Sequence, residues 1–516
     1  MRTRIRKSLV VLTALLSLCL AALAQSPATP QRLRFHVTLS PDLGKTAASG
    51  RLLILISKSK GQHDQLRPSD TDPSATWITA REVESINPGA TVEIHPDDLA
   101  FPASFSKLPK DDYYVMALLD VDHNAAYRLY SAGDLKSSVT ELKALDPSNS
   151  APVELTLSSR IPGHKLETIA GAEMIDFVSP SLTSFWGRPI HMRGVVVLPP
   201  DYEKSKDSYP TVYMTPGFGA DIYSIAGPIA SAYLQEMASG KTPPMIYVLL
   251  DESCPGGTHE FADSVNNGPW GHALTGELIP HLEQKYRMDA RPSGRFLTGH
   301  SSGGWATLWL QTAYPKVFGG TWSTSPDPSD FRDFTGPDLV DGNNVYHKSD
   351  GSPFMLVRMG GKDVTSIEQY AKQERVLGPY GGQFASFEWV FSPRGPDGRP
   401  MQMFDRDTGA IHHEVASYWE DHYDIANLLR ENWKLIGPDL KGKIHVIVGT
   451  ADTFHLEGPA HLLDTTLQQL GGDAKFTYLE GRTHFDLYKG GLQEQIAKEM
   501  YAIARPAKAK AAASGQ

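Results

Sequence analysis

The sequence predicts a two-domain protein, in which an N-terminal β-sandwich precedes a larger α/β domain with a mostly parallel sheet. The chain has 516 residues, which is too long for one ordinary hydrophobic core. Residues 33–160 form short apolar runs separated by Gly, Pro, Asp and Ser, a pattern typical of a sandwich. Residues 170–504 alternate between apolar strands and helical segments, which is typical of a parallel sheet flanked by helices.

Particular runs justify each domain. In the first domain the predicted strands include residues 34–39, 51–56 and 113–119, and in the second they are 211–214, 245–250, 295–298, 444–448 and 475–479. Residues 326–438 are irregular in pattern and rich in aromatic residues, so we expect an insertion, partly sheet and partly a cap over the site. Residues 505–516 are rich in Ala and Lys and are predicted to be a disordered tail.

A pentapeptide of the second domain has the pattern G-x-S-x-G. It spans Gly299–Gly303, directly after the predicted strand 295–298 and directly before helical residues 302–313. In this context the serine lies at a sharp strand-to-helix turn, where small neighbours avoid clashes and the hydroxyl is raised above the sheet. The pattern therefore predicts the nucleophile elbow of an α/β-hydrolase fold, with Ser301 as the nucleophile. Ser302 is the rival candidate, but it lies one position late in the pattern.

A serine hydroxyl needs a base to remove its proton, and an imidazole usually does this. In this fold the acid and then the histidine follow the serine along the chain. His484 lies just past the strand 475–479 and before the last helix, so its ring can reach back over the sheet. We predict His484 as the base and His300 as a structural or substrate-facing residue. The histidines that stay open as alternatives are His412, His413, His422, His455 and His461.

The predicted acid is Asp452, which directly follows the strand 444–448 at the edge where the histidine loop lies. A carboxylate there can orient the imidazole and stabilise its positive charge. Glu457 is the reserve candidate. The tetrahedral intermediate also needs amide donors. We expect one oxyanion donor from Ser302 and the other from Phe218, in the glycine-containing loop after the strand 211–214.

These motifs resemble those of the esterase D-type family of α/β-hydrolases, which includes enterochelin esterases, feruloyl and acetylxylan esterases, S-formylglutathione hydrolase and mycolyltransferases. The segments that carry the resemblance are 209–213, 216–219, 299–304, 449–452 and 481–484, within residues 185–325 and 440–500. The resemblance implies the α/β-hydrolase fold, a serine esterase activity and a triad of Ser301, Asp452 and His484.

Three departures from that family affect the substrate rather than the reaction class. Pro216 stands where many members have histidine, and Ser302 stands where many have methionine. The gap between Ser301 and Asp452 is also much longer than in minimal members. The acyl and alcohol groups of the substrate are therefore not predicted.

The first 24 residues are predicted to be a signal peptide. Four basic residues precede the apolar run 9–23, and the small residues of Ala22–Ala24 predict cleavage between Ala24 and Gln25. The apolar run is short for a membrane span of about 20 residues. We therefore expect a secreted or periplasmic protein with no membrane span.

Removal of this signal would change the formal net charge from −10 to −14, because Arg2, Arg4, Arg6 and Lys7 leave with no acidic residue. Such acidity argues against nucleic acid as a partner. Only Cys254 would remain of the two cysteines, so no internal disulfide is expected.

No cofactor and no metal are expected. Residues 120–124 resemble the start of a calcium-binding loop, but the sixth position is Ala125 rather than glycine and the twelfth is Ser131 rather than glutamate. A turn between two strands is the better interpretation.

The predicted function is that of a secreted serine carboxylic-ester hydrolase, which works through an acyl-enzyme on acylated polysaccharide or on a small ester. One alternative is a serine peptidase, because prolyl oligopeptidases also pair an N-terminal β domain with this fold. Residues 33–160 are, however, too few for a propeller of several blades. The other alternative is a non-catalytic binding protein on a hydrolase scaffold.

Overall fold

The computed structural model describes residues 32–69, 71–166 and 169–506. The predicted signal peptide, residues 1–24, and residues 507–516 of the predicted tail lie outside these ranges. Arg505, at the start of that tail, is described, and its guanidinium pairs with the Asp289 carboxylate. No helix within the described ranges is both long and apolar enough to cross a membrane.

Ten strands of the described chain form the N-terminal domain. They are β1 (Phe35–Leu39), β2 (Ala48–Ser57), β3 (Thr76–Ile86), β4 (Thr91–Ile94), β5 (Ala100–Phe101), β6 (Asp111–Asp120), β7 (Leu135–Lys136), β8 (Thr140–Leu145), β9 (Val153–Leu157) and β10 (Ser159–Arg160). One sheet has the order β4-β1-β9, and the other has the order β10-β7-β6-β2-β3-β5 with β8 also paired to β6. Phe35, Ile54 and Val115 are fully buried in the core between the two sheets, which is the predicted sandwich.

Strand β2 is apolar along its whole centre because both of its faces are covered. Leu52 and Ile54 point into the sandwich core, whereas Leu53 and Leu55 belong to a second cluster. That second cluster includes Val376, which belongs to the helix Ile367–Leu377 of the second domain. A strand buried on both faces shows no alternation of apolar and polar residues. The sheet of the sandwich that contains β2 therefore packs on the second domain.

The second domain is built on an eight-stranded sheet of order β11-β12-β14-β13-β19-β20-β23-β24. In chain order the strands of this domain are β11 (Ala172–Val178), β12 (His191–Val197), β13 (Thr211–Thr215), β14 (Ile246–Leu250), β15 (Ser253–Cys254), β16 (Gly257–Thr258), β17 (Asp263–Ser264), β18 (Gly268–Pro269), β19 (Arg295–His300), β20 (Gly320–Thr324), β21 (Met355–Met359), β22 (Lys362–Ser366), β23 (Ile444–Gly449) and β24 (Lys475–Leu479). Strand β12 is antiparallel to both neighbours, and the strands from β14 to β24 in the sheet are parallel.

Helices cover both faces of this sheet. The α-helices are Pro180–Trp186, Ile222–Ser224, Ala230–Ala238, Trp270–His272, Ile279–Lys285, Ser302–Ala313, Ile367–Leu377, Gln383–Phe391, His413–Tyr423, Ile425–Leu440, Glu457–Gln469 and Leu492–Ala504, with π-helical turns at Ile225–Ile229 and Ala273–Leu278. Along β14, Ile246 and Val248 belong to one apolar cluster, and Tyr247 and Leu249 belong to another. The predicted α/β-hydrolase fold with a preceding β-sandwich is therefore confirmed.

The segment between β20 and β23 contains helices, which the sequence pattern did not indicate, joined by long stretches of turns and loops. It contains the hairpin β21–β22 and four of the helices named above. In the helix Gln383–Phe391 seven of the nine residues are buried, including Ser386 and Glu388, so the helix has no exposed polar face. A helix buried all round lacks the 3.6-residue period by which amphipathic helices are recognised.

Candidate active site

Ser301 lies at the turn between β19 and the helix Ser302–Ala313. Its backbone has φ 59° and ψ −126°, a conformation that a non-glycine residue rarely adopts. A Cβ atom on Gly299 would overlap the carbonyl of Gly303, and a Cβ on Gly303 would overlap the carbonyl of Thr215. Small residues are therefore required on both sides of the serine, as expected for a nucleophile elbow.

Asp452 and His484 lie together at the carboxyl ends of β23 and β24. The Nδ1 atom of His484 is 3.0 Å from Oδ2 of Asp452, and both side chains are buried. Burial opposes ionisation of Asp452, but the hydrogen bond and the charge of His484, together with the hydrogen bond from the Phe454 N–H, outweigh it and hold the pKa of this carboxyl below its usual range. Because Nδ1 faces the carboxylate, Nε2 is the ring nitrogen left to act as a base.

His484 lies beside the nucleophile turn. Its ring centroid is 4.3 Å from that of His300, the residue before Ser301. Burial, together with repulsion from His484, lowers the pKa of His300 to about 3, so the His300 ring is neutral at physiological pH. Its Nδ1 atom is 3.1 Å from the Thr324 hydroxyl, which suits the predicted structural role.

The alternative candidates make other contacts. Glu457, the reserve acid, accepts a hydrogen bond from Arg358 at 2.7 Å. The rings of the alternative histidines contact other groups, namely Gln402 for His412, Asn343 for His413, Tyr418 for His422, Asp363 for His455 and Tyr478 for His461. These contacts leave His484 as the histidine that pairs with Asp452.

A second buried carboxylate, which the sequence analysis missed, contacts the serine itself. The Ser301 hydroxyl donates to Oδ1 of Asp327 at 3.4 Å. The Ser302 hydroxyl, which is fully buried, donates to Oδ2 of Asp327 at 2.5 Å. Gln383, in the segment between β20 and β23, donates from Nε2 to the Ser302 hydroxyl at 3.3 Å and to Oδ2 of Asp327 at 3.5 Å. Burial and this bond make Ser302 a poor rival nucleophile.

The position of Asp327 carries a signal that could have found it. It follows β20, as Asp452 follows β23, and the carboxyl ends of parallel strands meet at one edge of a sheet. Gln383, by contrast, has no neighbouring motif that points to the site.

Asp327 belongs to a group of buried carboxyl groups with raised pKa values. Burial raises the pKa of Asp327 to about 6 and that of Glu252 to about 8, and it raises the pKa of Glu260 well above its usual range. Each of the three is also influenced by the charge of another buried acid. At neutral pH Glu252 and Glu260 are therefore mainly protonated, which limits the negative charge close to the serine.

The two predicted oxyanion donors lie on either side of the nucleophile turn. Ser302 is the first residue of its helix, and the first N–H groups of a helix have no acceptor within the helix. Phe218 lies in the segment Pro216–Asp221, which we call the oxyanion loop. Gly217 in this loop has φ 118°, and a Cβ on it would lie 2.6 Å from the His300 carbonyl oxygen. The loop thus packs directly against the nucleophile turn.

The loop that resembles a calcium site is held by its own hydrogen bonds. The carboxylates of Asp120, Asp122 and Asp134 offer oxygen atoms within 4.8 Å of one another. Asp120 accepts hydrogen bonds from the N–H groups of Asn124 and Ala125, at 3.0 and 2.9 Å, as in a turn. The absence of a metal here stays a prediction.

The order of the large sheet, with a serine at the strand-to-helix turn after its fifth strand in chain order, defines the α/β-hydrolase class. A family model described as "Putative esterase" matches residues 187–495, which is more than half of the chain. The chain therefore belongs to this esterase family, and the predicted resemblance and enzyme class are confirmed.

Individual relatives are more distant. Esterase MT1326 of Mycobacterium tuberculosis (strain CDC 1551 / Oshkosh) is 29% identical over 144 residues, which are 27% of this chain and only 30% of that protein. Among solved structures, a ferulic acid esterase has 15% identity and a TM-score of 0.41, covering 64% of this chain and 98% of that one. An S-formylglutathione hydrolase from Agrobacterium tumefaciens has 15% identity and a TM-score of 0.38, covering 65% and 96%.

Proposed function

We propose that this protein is an exported serine carboxylic-ester hydrolase with a catalytic triad of Ser301, His484 and Asp452. The observation that carries this proposal is the buried Asp452–His484 pair, 3.0 Å apart, beside the elbow serine of a chain from an esterase family. A nucleophile, a base and a group that orients the base are the three parts that acyl transfer requires.

The proposed reaction has two halves. The Ser301 oxygen attacks the ester carbonyl carbon while Nε2 of His484 takes the hydroxyl proton. The tetrahedral intermediate then expels the alcohol, which receives that proton from His484, and an acyl-enzyme remains. Water attacks the acyl carbon with the same proton transfers and releases the acid. Asp452 stays ionised throughout and stabilises the imidazolium.

The negative oxygen of the intermediate is stabilised by the amides of Ser302 and Phe218 in this proposal. Such donors act best when they are fixed before the reaction begins. In the free enzyme the Ser301 hydroxyl is bonded to Asp327, so it must turn toward His484 when substrate binds. Catalytic hydrogen bonds commonly tighten only in the substrate complex.

The substrate is proposed to be a small ester or an acylated polysaccharide. Phe485, which follows His484, is 72% exposed, and its ring centroid is 5.9 Å from that of Phe454. An exposed apolar ring next to the base offers a contact for an apolar group of the substrate. The predicted signal peptide supports export to the periplasm or the medium.

Substitution of the nucleophile is the direct test. We expect Ser301→Ala to lower kcat for p-nitrophenyl acetate by at least about 10³-fold and to abolish labelling by a fluorophosphonate probe. The matched control is Ser293→Ala, an exposed serine just before β19, which should behave as wild type. An active Ser301→Ala protein would refute the proposal.

A substrate panel distinguishes the remaining alternatives. Feruloyl, acetyl, short-acyl and trilactone esters should be hydrolysed faster than peptide amides with Pro or Ala before the scissile bond. Faster cleavage of the amides would favour a peptidase. Failure of the probe to label the wild-type protein would favour a non-catalytic binding protein.

A further inference from the structure

We propose that the N-terminal sandwich completes the active site, because its loop Val121–Asp134 holds the oxyanion loop in place through Tyr127 and Arg128. This inference rests on the proposed function, since it concerns how the oxyanion donor of that reaction is positioned. It assigns a role to a domain that lies outside the matched family region, residues 187–495.

Tyr127 makes two contacts with the oxyanion loop. Its hydroxyl donates to the carbonyl oxygen of Ala220 at 2.5 Å. Its ring packs edge-on against the ring of Phe218, with centroids 4.9 Å apart and planes at 82°. Burial, reinforced by the nearby acids Glu252 and Asp251, raises the pKa of Tyr127, so the hydroxyl remains a donor at any working pH.

Arg128 fixes the end of the same loop. Its guanidinium pairs with Oδ2 of Asp221. The other oxygen of Asp221 accepts the N–H groups of Tyr223 and Ser224, both at 3.1 Å, and so caps the helix that follows. Two adjacent residues of the sandwich therefore hold both the loop and the start of its helix.

At Gly217 the oxyanion loop has no room to move toward the nucleophile turn. Gly217 approaches the His300 carbonyl so closely that even a methyl group would lie 2.6 Å from it. The loop is thus enclosed between the nucleophile turn and the sandwich. A shift of the loop into the space that Tyr127 fills would displace the Phe218 amide from the reacting carbonyl, and displacements of about 1 Å can cost about 10²-fold in rate.

The sandwich loop is stiff enough for this role. Asp134 accepts hydrogen bonds from the N–H groups of Val121 and Ser131, at 3.1 and 2.8 Å, and so ties the two ends of the loop together. The Arg128 N–H bonds the Asn124 carbonyl at 2.8 Å, and the Tyr130 hydroxyl bonds the Leu66 carbonyl. The hydrogen bonds of the acidic cluster that resembles a calcium loop therefore fix the backbone that carries Tyr127 and Arg128.

Tyr127 and Arg128 are positioning residues, so the test separates rate from binding. The variants are Tyr127→Phe, Tyr127→Ala, Arg128→Ala and Arg128→Lys in the full chain. The matched control is Tyr113→Phe, because Tyr113 is a buried sandwich tyrosine whose hydroxyl donates to the Pro109 carbonyl at 2.8 Å. We would measure kcat and KM with p-nitrophenyl acetate, and the inhibition constant of an aryl boronic acid that forms a tetrahedral adduct with Ser301.

Tyr127→Ala should lower kcat by about 10- to 100-fold and leave KM within about threefold. The boronic acid should bind more weakly in the same proportion, since its adduct uses the same oxyanion donors. Tyr127→Phe should have a kcat about three- to tenfold lower than that of wild type. Arg128→Lys should recover part of the activity that Arg128→Ala loses, and Tyr113→Phe should match wild type.

The inference is overturned if wild type hydrolyses esters through Ser301 while Tyr127→Ala keeps wild-type kcat and boronic acid affinity. The inference is also overturned if kcat falls as much in Tyr113→Phe as in Tyr127→Phe. The effect would then come from a general loss of sandwich stability. A wild-type protein without Ser301-dependent ester hydrolysis would instead refute the proposed function. If Tyr127→Ala does not fold, the kcat values of Tyr127→Phe, Arg128→Ala and Arg128→Lys test the inference instead.

Discussion

Two buried carboxyl groups near Ser301 have different environments. Asp452 accepts a hydrogen bond from the His484 ring, whereas Asp327 accepts from the hydroxyls of Ser301 and Ser302. Asp452 has a lowered pKa despite its burial, whereas burial raises the pKa of Asp327 to about 6. Only Asp452 therefore has both the contact and the stable charge that an imidazolium needs.

Asparagine substitutions at the two sites should separate their roles. Asp452→Asn should lower kcat by about 10³- to 10⁴-fold, because an amide favours the wrong tautomer of the histidine and carries no charge. Asp327→Asn should lower kcat by less than about tenfold, since the serine and its base remain in place. Ester hydrolysis by the two purified variants checks this, and a larger loss in Asp327→Asn would reverse the assignment.

Glu252 should make the protein less stable as the pH rises. Burial raises its pKa from an ordinary value of 4.5 to about 8, so between these values the folded chain holds a proton that the unfolded chain releases. The free energy of unfolding then falls by about 1.4 kcal/mol per pH unit through this window. Glu252→Gln does not titrate, so at pH 8 it should be more stable than wild type by a few kcal/mol, roughly 2–5.

Urea denaturation at pH 4.5 and at pH 8 measures this difference. The two proteins should be close in stability at the lower pH and separate at the higher one. Glu84→Gln, at an exposed position of β3, removes the same charge without burial and is the control. A stability gap for Glu252→Gln that does not change with pH would contradict the prediction.

At the scale of elements, the position of the oxyanion loop depends more on Gly217 than on Gly219. Gly217 has φ 118° and faces the His300 carbonyl, whereas Gly219 has φ 84° and open space around it. Alanine at either position strains the backbone by about 1–2 kcal/mol. Only Gly217→Ala also forces the loop off the nucleophile turn, so it should lower kcat/KM by about 10²-fold.

Gly219→Ala is the matched variant, and its kcat/KM should remain within a few-fold of wild type. Both variants would be compared by ester hydrolysis at a temperature well below their unfolding midpoints. Equal losses in the two would mean that backbone strain, and not contact with the turn, determines the activity.

Elements that flank the predicted triad residues were predictable from the sequence, although the helix Ser302–Ala313 is buried at 11 of its 12 residues. The structure has the helix after the serine at Ser302–Ala313 and a strand at Lys475–Leu479, as predicted, and the strand before the serine continues to His300. The helix Gln383–Phe391 also lacks an exposed polar face, and no motif beside it indicates a helix, so it was not predicted.

Site residues that follow a strand were also predictable, whereas those that arrive from distant segments were not. Asp452 and His484 each follow a strand, and they lie together as the sequence analysis expected. Gln383 lies 81 residues from Ser302, and Tyr127 lies 93 residues from Ala220. Contacts at such separations depend on how whole elements pack, and neighbouring residues carry no signal of them.

At the scale of the whole molecule, Arg51 joins the two domains. This buried arginine of β2 donates from Nε to the Val376 carbonyl at 3.0 Å and from a guanidinium NH₂ group to the Arg375 carbonyl at 3.2 Å. Both carbonyls lie at the C-terminal end of the helix Ile367–Leu377, where a positive charge is favourable. Glu82 balances the charge of Arg51.

Arg51→Met should lower the free energy of unfolding by about 1–3 kcal/mol, because it leaves the buried Val376 carbonyl without this donor. Thermal unfolding of the full chain measures this as a lower midpoint. Arg81→Met is the control, since Arg81 is exposed on the neighbouring strand β3 and bonds the Glu93 carbonyl at 2.6 Å. A midpoint equal to that of Arg81→Met would show that Arg51 does not couple the domains.

Burial of both faces of β2 has a consequence for how this chain could be divided. A nick between Arg160 and Ala172 would leave two fragments that remain associated, because Leu53 and Leu55 would otherwise expose an apolar face to water. For the same reason the N-terminal fragment alone would be prone to self-association. The two domains of this protein are therefore expected to keep each other soluble, because each covers an apolar face of the other.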